Sequence, residues 1–273
     1  MRGIVNVPVC PLMTQPCREC ERADEALFGM VVEVLEQTTP EYWRVRTHYR
    51  YEGYARAGDL LLSEEQLERW AGMPKKIVLH KNTCDVMAGP KVQSWQLLTL
   101  PRGALVSPEG APEDGWQRVV LPDGGEGYLR ASCLGDYWDT PPALPEDALR
   151  RSIVETALLY AGTPYRWGGK SPLGIDCSGL TSMAYLLNGI LIYRDARIAD
   201  GFPIHEIARE DMKPADLLFF PGHIALYMGD GRYCHSTGRA GDDGFTINSL
   251  IPSAPDYRAD LAEKITQVGS YFG

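Results

Sequence analysis

Cys177 closes the stretch "TPYRWGGKSPLGIDC" and opens the apolar run "CSGLTSMAYLL", so it stands where a turn becomes a helix. The unpaired N–H groups and positive dipole end of a helix start favour thiolate over thiol, which is the activation a cysteine nucleophile needs. Ser178 and Gly179 leave room for another molecule to approach, and an aromatic-Gly-Gly loop, "YRWGG", lies just ahead. Such a thiol also needs a base, a histidine distant in sequence and near in space. Of five histidines, His48 and His80 fall among short β-type runs and His205 in a proline-flanked loop. His223 and His235 fall in "HIALYMG" and "RYCHS", two runs joined by the turn sequence "GDGR". On neighbouring strands of one hairpin, one imidazole can take the proton while the other holds its tautomer. Cys234 alternates with His235 and is expected on the opposite face of its strand, as core.

The elements that must carry these groups lie around them. "DTPPALPEDALRRSIVETALLYAG" opens as a proline-rich linker and continues as a helix begun by Glu146 and Asp147, with Ile153, Ala157 and Tyr160 apolar and Gly162 at its close. After Cys177, a second helix places Leu180, Ala184 and Leu187 on one face and ends at Asn188-Gly189. "ADLLFF", "HIALYMG" and "RYCHS" then read as strands. Helices followed by strands describe an α+β domain over 139–273.

The residues before it have a different texture, with short Val, Ile, Leu, Trp and Tyr runs split by Gly, Pro and Asp. They contain a repeat. Aligning "LFGMVVEV" with "PRGALVSP", and "YWRVRTHYRYEGYARAGDL" with "GWQRVVLPDGGEGYLRASCL", sets Gly29 on Gly103, Gly53 on Gly127, Tyr54 on Tyr128 and Leu60 on Leu134, each pair 74 positions apart. One offset held at four positions means two copies of one supersecondary unit. Each copy, 1–62 and 76–138, reads as a small β-barrel of about five strands. Between them, within 63–75, "SEEQLERWAGM" has a Ser N-cap and Glu in its first turn and reads as a connecting helix.

With 273 residues, 44% of them apolar, the chain has material for several packed domains. Its net charge of -9 offers no basic face to phosphate, so nucleic acid and anionic membrane are excluded as expected partners, while an amine-bearing ligand fits. The apolar N-terminal run is broken by Asn6, Pro8 and Pro11, so no secretion signal is read there, and no run reaches the ~20 apolar residues of a membrane span. Seven cysteines at irregular spacings do not form a disulfide framework, which points to a reducing compartment, the cytoplasm. "CREC", Cys17 to Cys20, has zinc-like spacing but no second pair, so no metal is expected. A monomer is expected.

From Ala161 to Ser236, "GTPYRWGG", "DCSGL", "PADLLFF", "HIALYMG" and "HS" occur in an order and spacing that resembles the NlpC-type cell-wall peptidases, a papain-like group. The resemblance implies Cys177 as nucleophile, His223 as base and His235 as the orienting third residue. It also implies the Tyr165 hydroxyl and the Cys177 N–H as oxyanion donors, with Asp176 and Ser178 lining the substrate pocket. The ending "W…RV…EGY…L" of each β copy resembles bacterial SH3-like domains. The fold expected is therefore two small SH3-like β-barrels followed by an α+β papain-like catalytic domain.

That architecture resembles the enzymes that trim free murein peptides between γ-D-glutamate and a diamino acid, which require a free N-terminal L-alanine. Peptidoglycan-derived peptides are the implied partners, with no cofactor. An acid must meet the alanine amine. Asp176 is expected on one side, and Glu21 ahead of "LFG" and Tyr51 in "YEGY" on the other. Two departures bear on substrate preference. "RDARIADG" carries Ala196 and Ala199 where the family often shows Ser and Gln, and "PAD" stands for the usual "PGD". The competing readings are an endopeptidase or amidase of intact wall, with the barrels as wall-binding modules, and a non-catalytic peptide-binding module.

Overall fold

The repeat reappears as a repeated sheet topology in the computed structural model, which describes residues 1–273. The first β-rich domain joins β1 (Arg2–Val5), β2 (Val9–Met13), β3 (Arg22–Leu27), β4 (Val31–Gln37), β5 (Tyr42–Thr47), β6 (Glu52–Arg56) and β7 (Leu60–Leu61) in the order β3-β2-β6-β5-β4-β1-β7. The second joins β8 (Lys76–Val78), β9 (Thr83–Met87), β10 (Gln96–Pro101), β11 (Leu105–Glu113), β12 (Trp116–Val120), β13 (Glu126–Arg130) and β14 (Leu134–Asp136) in the corresponding order β10-β9-β13-β12-β11-β8-β14.

One pair of glycines shows why the repeat kept its residues. A Cβ on Gly53 would lie 2.8 Å from Leu12 Cβ, and one on Gly127 2.4 Å from Val86 Cγ1. Leu12 and Val86 are themselves one repeat apart, and both are fully buried. The neighbouring strand's core residue thus passes where a side chain would stand. Each copy has seven strands where about five are expected from sequence. The extra closing strands, Leu60–Leu61 and Leu134–Asp136, pair with β1 and β8 and are too short to show a period.

Helix α1 (Glu64–Gly72) connects the copies, with the Ser63 side chain accepting from the Gln66 N–H at 3.3 Å as its cap. Its buried Trp70 donates to the Gly29 carbonyl at 2.9 Å, while the Leu105 N–H donates to the Phe28 carbonyl at 2.8 Å. Phe28 packs into the second domain's core with Val78, Leu100 and Val106. Met1–Tyr137 is consequently one compact unit. In the loop between β2 and β3, Cys17 and Cys20 form a disulfide. A disulfide is a use of "CREC" that its spacing did not announce, and the case for a reducing compartment loses one of its premises.

The second unit, Trp138–Gly273, begins with α2 (Glu146–Leu158). A two-stranded piece, β15 (Lys170–Ser171) and β16 (Gly174–Ile175), then leads into α3 (Cys177–Leu186). The main sheet comprises β17 (His205–Ile207), β18 (Leu217–Phe220), β19 (His223–Gly229), β20 (Arg232–Thr237), β21 (Gly244–Ser249) and, after the short α4 (Ala259–Ala262), β22 (Gln267–Ser270). Its order is β17-β22-β18-β19-β20-β21, antiparallel throughout. α3 packs between α2 and the β19–β20 hairpin, so every residue from Cys177 to Tyr185 is buried. The single apolar face expected on Leu180, Ala184 and Leu187 is too modest for this all-round burial. No helix is long and apolar enough to cross a membrane.

Candidate active site

Cys177 is the first residue of α3, and its thiol is only 7% exposed. The backbone N–H groups of Ile224 and Ser178, together with the Arg194 charge, favour the thiolate; burial and the Asp176 carboxylate oppose them and push the thiol up to about 11. The helix start acts in the expected direction, but burial outweighs it and the net effect is upward. A thiol held up in this way calls for a neighbouring base if it is to act as a nucleophile.

The β19–β20 hairpin carries the two histidines expected to serve it. Asp230 and Gly231 both take positive φ, 50° and 71°, in the tight turn of "GDGR". The pairing sets Leu226 opposite Cys234, which brings His223 and His235 to diagonal positions on one face. Their rings meet edge to face, with His223 Nε2 2.7 Å from His235 Nδ1. On its other side His235 Nε2 lies 2.9 Å from Asn248 Oδ1, on β21. Burial is the main cause that pushes His223 down to about 3, aided by His235 and Arg258, and that pushes His235 down to about 4. Both imidazoles are therefore neutral at pH 7, as a general base must be. The sulfur of Cys177 sits against the N–H of the residue that follows His223, which places the thiol at the strand end that carries that ring.

Tyr165 is held by its N–H to the Asp243 carbonyl at 2.8 Å and by a parallel bridge to Ile175. Burial, then the neighbouring Cys177 and Asp176, push its phenol up to about 12, so the hydroxyl keeps its proton and can donate.

Asp176 is the N-cap of α3, and its carboxylate is fully engaged. Oδ1 accepts from Gly179 N at 2.6 Å and Arg194 Nη1 at 3.1 Å; Oδ2 accepts from Gly168 N at 2.8 Å and Arg194 Nη2 at 3.0 Å. Arg194 also donates to Ser178 Oγ at 2.7 Å, and that hydroxyl contacts Asp176 Oδ1 at 3.3 Å. These bonds tie the "WGG" loop to the helix start, a structural task for Asp176 beside its expected place at the substrate amine. The reading of Gly179 as room for another molecule is revised. A Cβ there would lie 2.1 Å from the Gly169 carbonyl oxygen, so the glycine admits the chain's own backbone rather than an incoming molecule.

A family model described as "NlpC/P60 family" matches residues 162–250. "Dipeptidyl-peptidase 6" of Lysinibacillus sphaericus is 44% identical over 275 aligned residues, covering 100% of both chains. This chain belongs to the NlpC/P60 family. "Gamma-D-glutamyl-L-lysine dipeptidyl-peptidase" of Bacillus cereus is 33% identical over 129 residues, which are 44% of this chain and 37% of that protein. The crystal structure of an NlpC/P60 family protein from Bacillus cereus superposes with a TM-score of 0.80 at 21% identity, over 100% of both chains, a likeness of fold.

The NlpC/P60 match spans Cys177, His223, His235 and Asn248, and stops short of Asp256 and Arg258. Glu21 and Tyr51 belong to the first unit. Glu21 is exposed just ahead of β3, its carbonyl accepting the Thr14 N–H at 2.9 Å; Tyr51 is half-buried before β6, its N–H donating to Thr47 Oγ1 at 3.0 Å. Three residues beside these groups carry no sign of their role in the sequence. Arg194 opens "RDARIADG", whose likeness to the family leaves its burial unannounced, and Asn248 lies on a strand whose alternation of Thr246 and Asn248 was its only signal. Arg258, paired with Asp242 and Asp260, acts on the histidines through space.

Proposed function

We propose that the chain is a cysteine peptidase hydrolysing the bond between γ-D-glutamate and a diamino acid in free murein stem peptides, releasing L-Ala-γ-D-Glu. The observation that carries this reading is the full-length identity to a relative named as a dipeptidyl-peptidase, which extends over both β-rich domains as well as the catalytic one. It is supported by the partial matches named for γ-D-glutamyl-L-lysine. We take the β-rich domains to be SH3-like, and the Glu21 carboxylate and Tyr51 as ligands of the alanine amine, on their places in the sequence.

In this mechanism Cys177 Sγ attacks the γ-carbonyl carbon as His223 takes its proton. The oxyanion is met by the Cys177 N–H and the Tyr165 hydroxyl. The proton passes from His223 to the leaving amine, and the thioester is then opened by a water that His223 deprotonates. His235 keeps the ring of His223 in place throughout.

The test compares L-Ala-γ-D-Glu-L-Lys, its diaminopimelate analogue, the N-acetylated tripeptide and whole sacculi. Turnover of the free tripeptides, lost on N-acetylation and in Cys177→Ala, is expected. Release from sacculi with indifference to the acetyl group would instead mark the chain as an endopeptidase of intact wall; a Bacillus subtilis relative that matches 36% of this chain is named as a bifunctional muramidase/DL-endopeptidase.

A further inference from the structure

We propose that Asn248 is a positioning residue that fixes the tautomers of both histidines, with the Asp256 carbonyl as its anchor. The inference rests on the reading of Cys177 and His223 as nucleophile and base. Asn248 Nδ2 lies 3.0 Å from the Asp256 carbonyl oxygen. A carbonyl only accepts, so the amide must turn its NH2 toward Asp256 and its Oδ1 toward His235. Oδ1 in turn only accepts, so His235 Nε2 carries the ring proton. His235 Nδ1 is then bare when the ring is neutral, and across 2.7 Å it accepts from His223 Nε2–H. The remaining nitrogen of His223, Nδ1, keeps its lone pair for the thiol of Cys177.

Three hydrogen bonds thus run in one direction, and a backbone carbonyl decides the direction. Asn248 is 7% exposed and lines, with Asp256, Arg258 and Asp260, an open cleft of about 600 Å³. Water admitted from that cleft could replace the amide as a bonding partner, but water both donates and accepts and would leave the tautomer undecided. The other groups facing the pair are Arg258, which is bonded to Asp260 and Asp242, the Asp176 carboxylate on the His223 side, and the Tyr233 ring, 5.3 Å from that of His235. None of them accepts a hydrogen bond from His235 Nε2.

The test uses the full chain. ¹⁵N-histidine spectra at neutral pH should show both rings protonated at Nε2. Asn248→Ala should lower kcat by on the order of 10²-fold, the scale of a general-base contribution, with KM little changed. The pH midpoint for alkylation of Cys177 by iodoacetamide should rise in Asn248→Ala and fall in Asn248→Asp, whose carboxylate keeps the acceptor and stabilises the imidazolium. A purely structural asparagine would not give opposite shifts. His235 protonated at Nδ1 in the wild-type chain overturns the proposal even if neither variant folds. Shifts of the same sign in the two variants, or kcat and an alkylation profile unchanged in Asn248→Ala, overturn it as well. Because alkylation and tautomer need no substrate, a failure to cleave the tripeptide refutes the substrate reading alone.

Discussion

Asp176 Oδ2 and Arg194 Nη2 lie 3.0 Å apart in a buried ion pair whose acid stands one residue before Cys177. Both oxygens of the acid face the guanidinium fork, and the pair also holds Ser178 and the Gly169 carbonyl. Arg194→Ala leaves a buried carboxylate uncompensated beside Cys177, a change that costs about 3–5 kcal/mol where such pairs have been broken. Arg194→Lys keeps the charge but not the fork and should recover only part of the loss. Thermal denaturation of the two variants measures this; Arg194→Ala with wild-type stability would show that the pair carries no net energy here.

Tyr165 contributes a hydroxyl rather than a charge, since burial and two neighbouring acids keep its phenol protonated. If that hydroxyl meets the oxyanion, Tyr165→Phe should lower kcat by roughly 10²- to 10³-fold with little change in KM or stability. Steady-state kinetics on the tripeptide separate this from a binding role, in which KM alone would rise.

Acid should destabilise this unit through its histidines. Their folded values, about 3 for His223 and about 4 for His235, lie below the roughly 6.5 of an unfolded histidine. Between those limits the unfolded chain binds more protons, so the stabilisation is fully present above about pH 6.5 and is lost as pH falls toward the folded values. The melting temperature should drop on acidification across this range, and His235→Gln should flatten the drop. A wild-type melting temperature level from pH 7 to pH 4.5 would show that the rings are not held neutral.

The repeat, the connecting helix, the β19–β20 hairpin that carries His223 and His235, and the helix start at Cys177 were legible because each leaves a local mark: a fixed offset, a cap, a Gly-Asp-Gly turn, a turn followed by an apolar run. What was not legible depends on burial. Asp176 looked like a free acid because its partner Arg194 is far along the chain and equally hidden. Asn248 matters only once β21 is laid beside β20, which sets Asn248 opposite Tyr233 and His235 opposite Thr246. Charge state followed the same rule. The thiol at a helix start reads as activated in sequence, yet its enclosure by the fold raises it.

Gly179 tests that enclosure. With the Gly169 carbonyl oxygen 2.1 Å from any Cβ placed there, Gly179→Ala forces the first turn of α3 away from the loop that precedes it. The contact is backbone against backbone, so no rotamer change relieves it, and overpacking of this kind costs about 1–3 kcal/mol or more. The displaced turn carries Cys177 with it and lengthens the Asp176 bonds to Gly168 and Gly179. Turnover should therefore fall by more than the loss of stability explains, and alkylation of Cys177 should quicken as the sulfur becomes exposed. Slow alkylation together with normal turnover in a folded Gly179→Ala chain would mean that the helix start yields without moving the nucleophile.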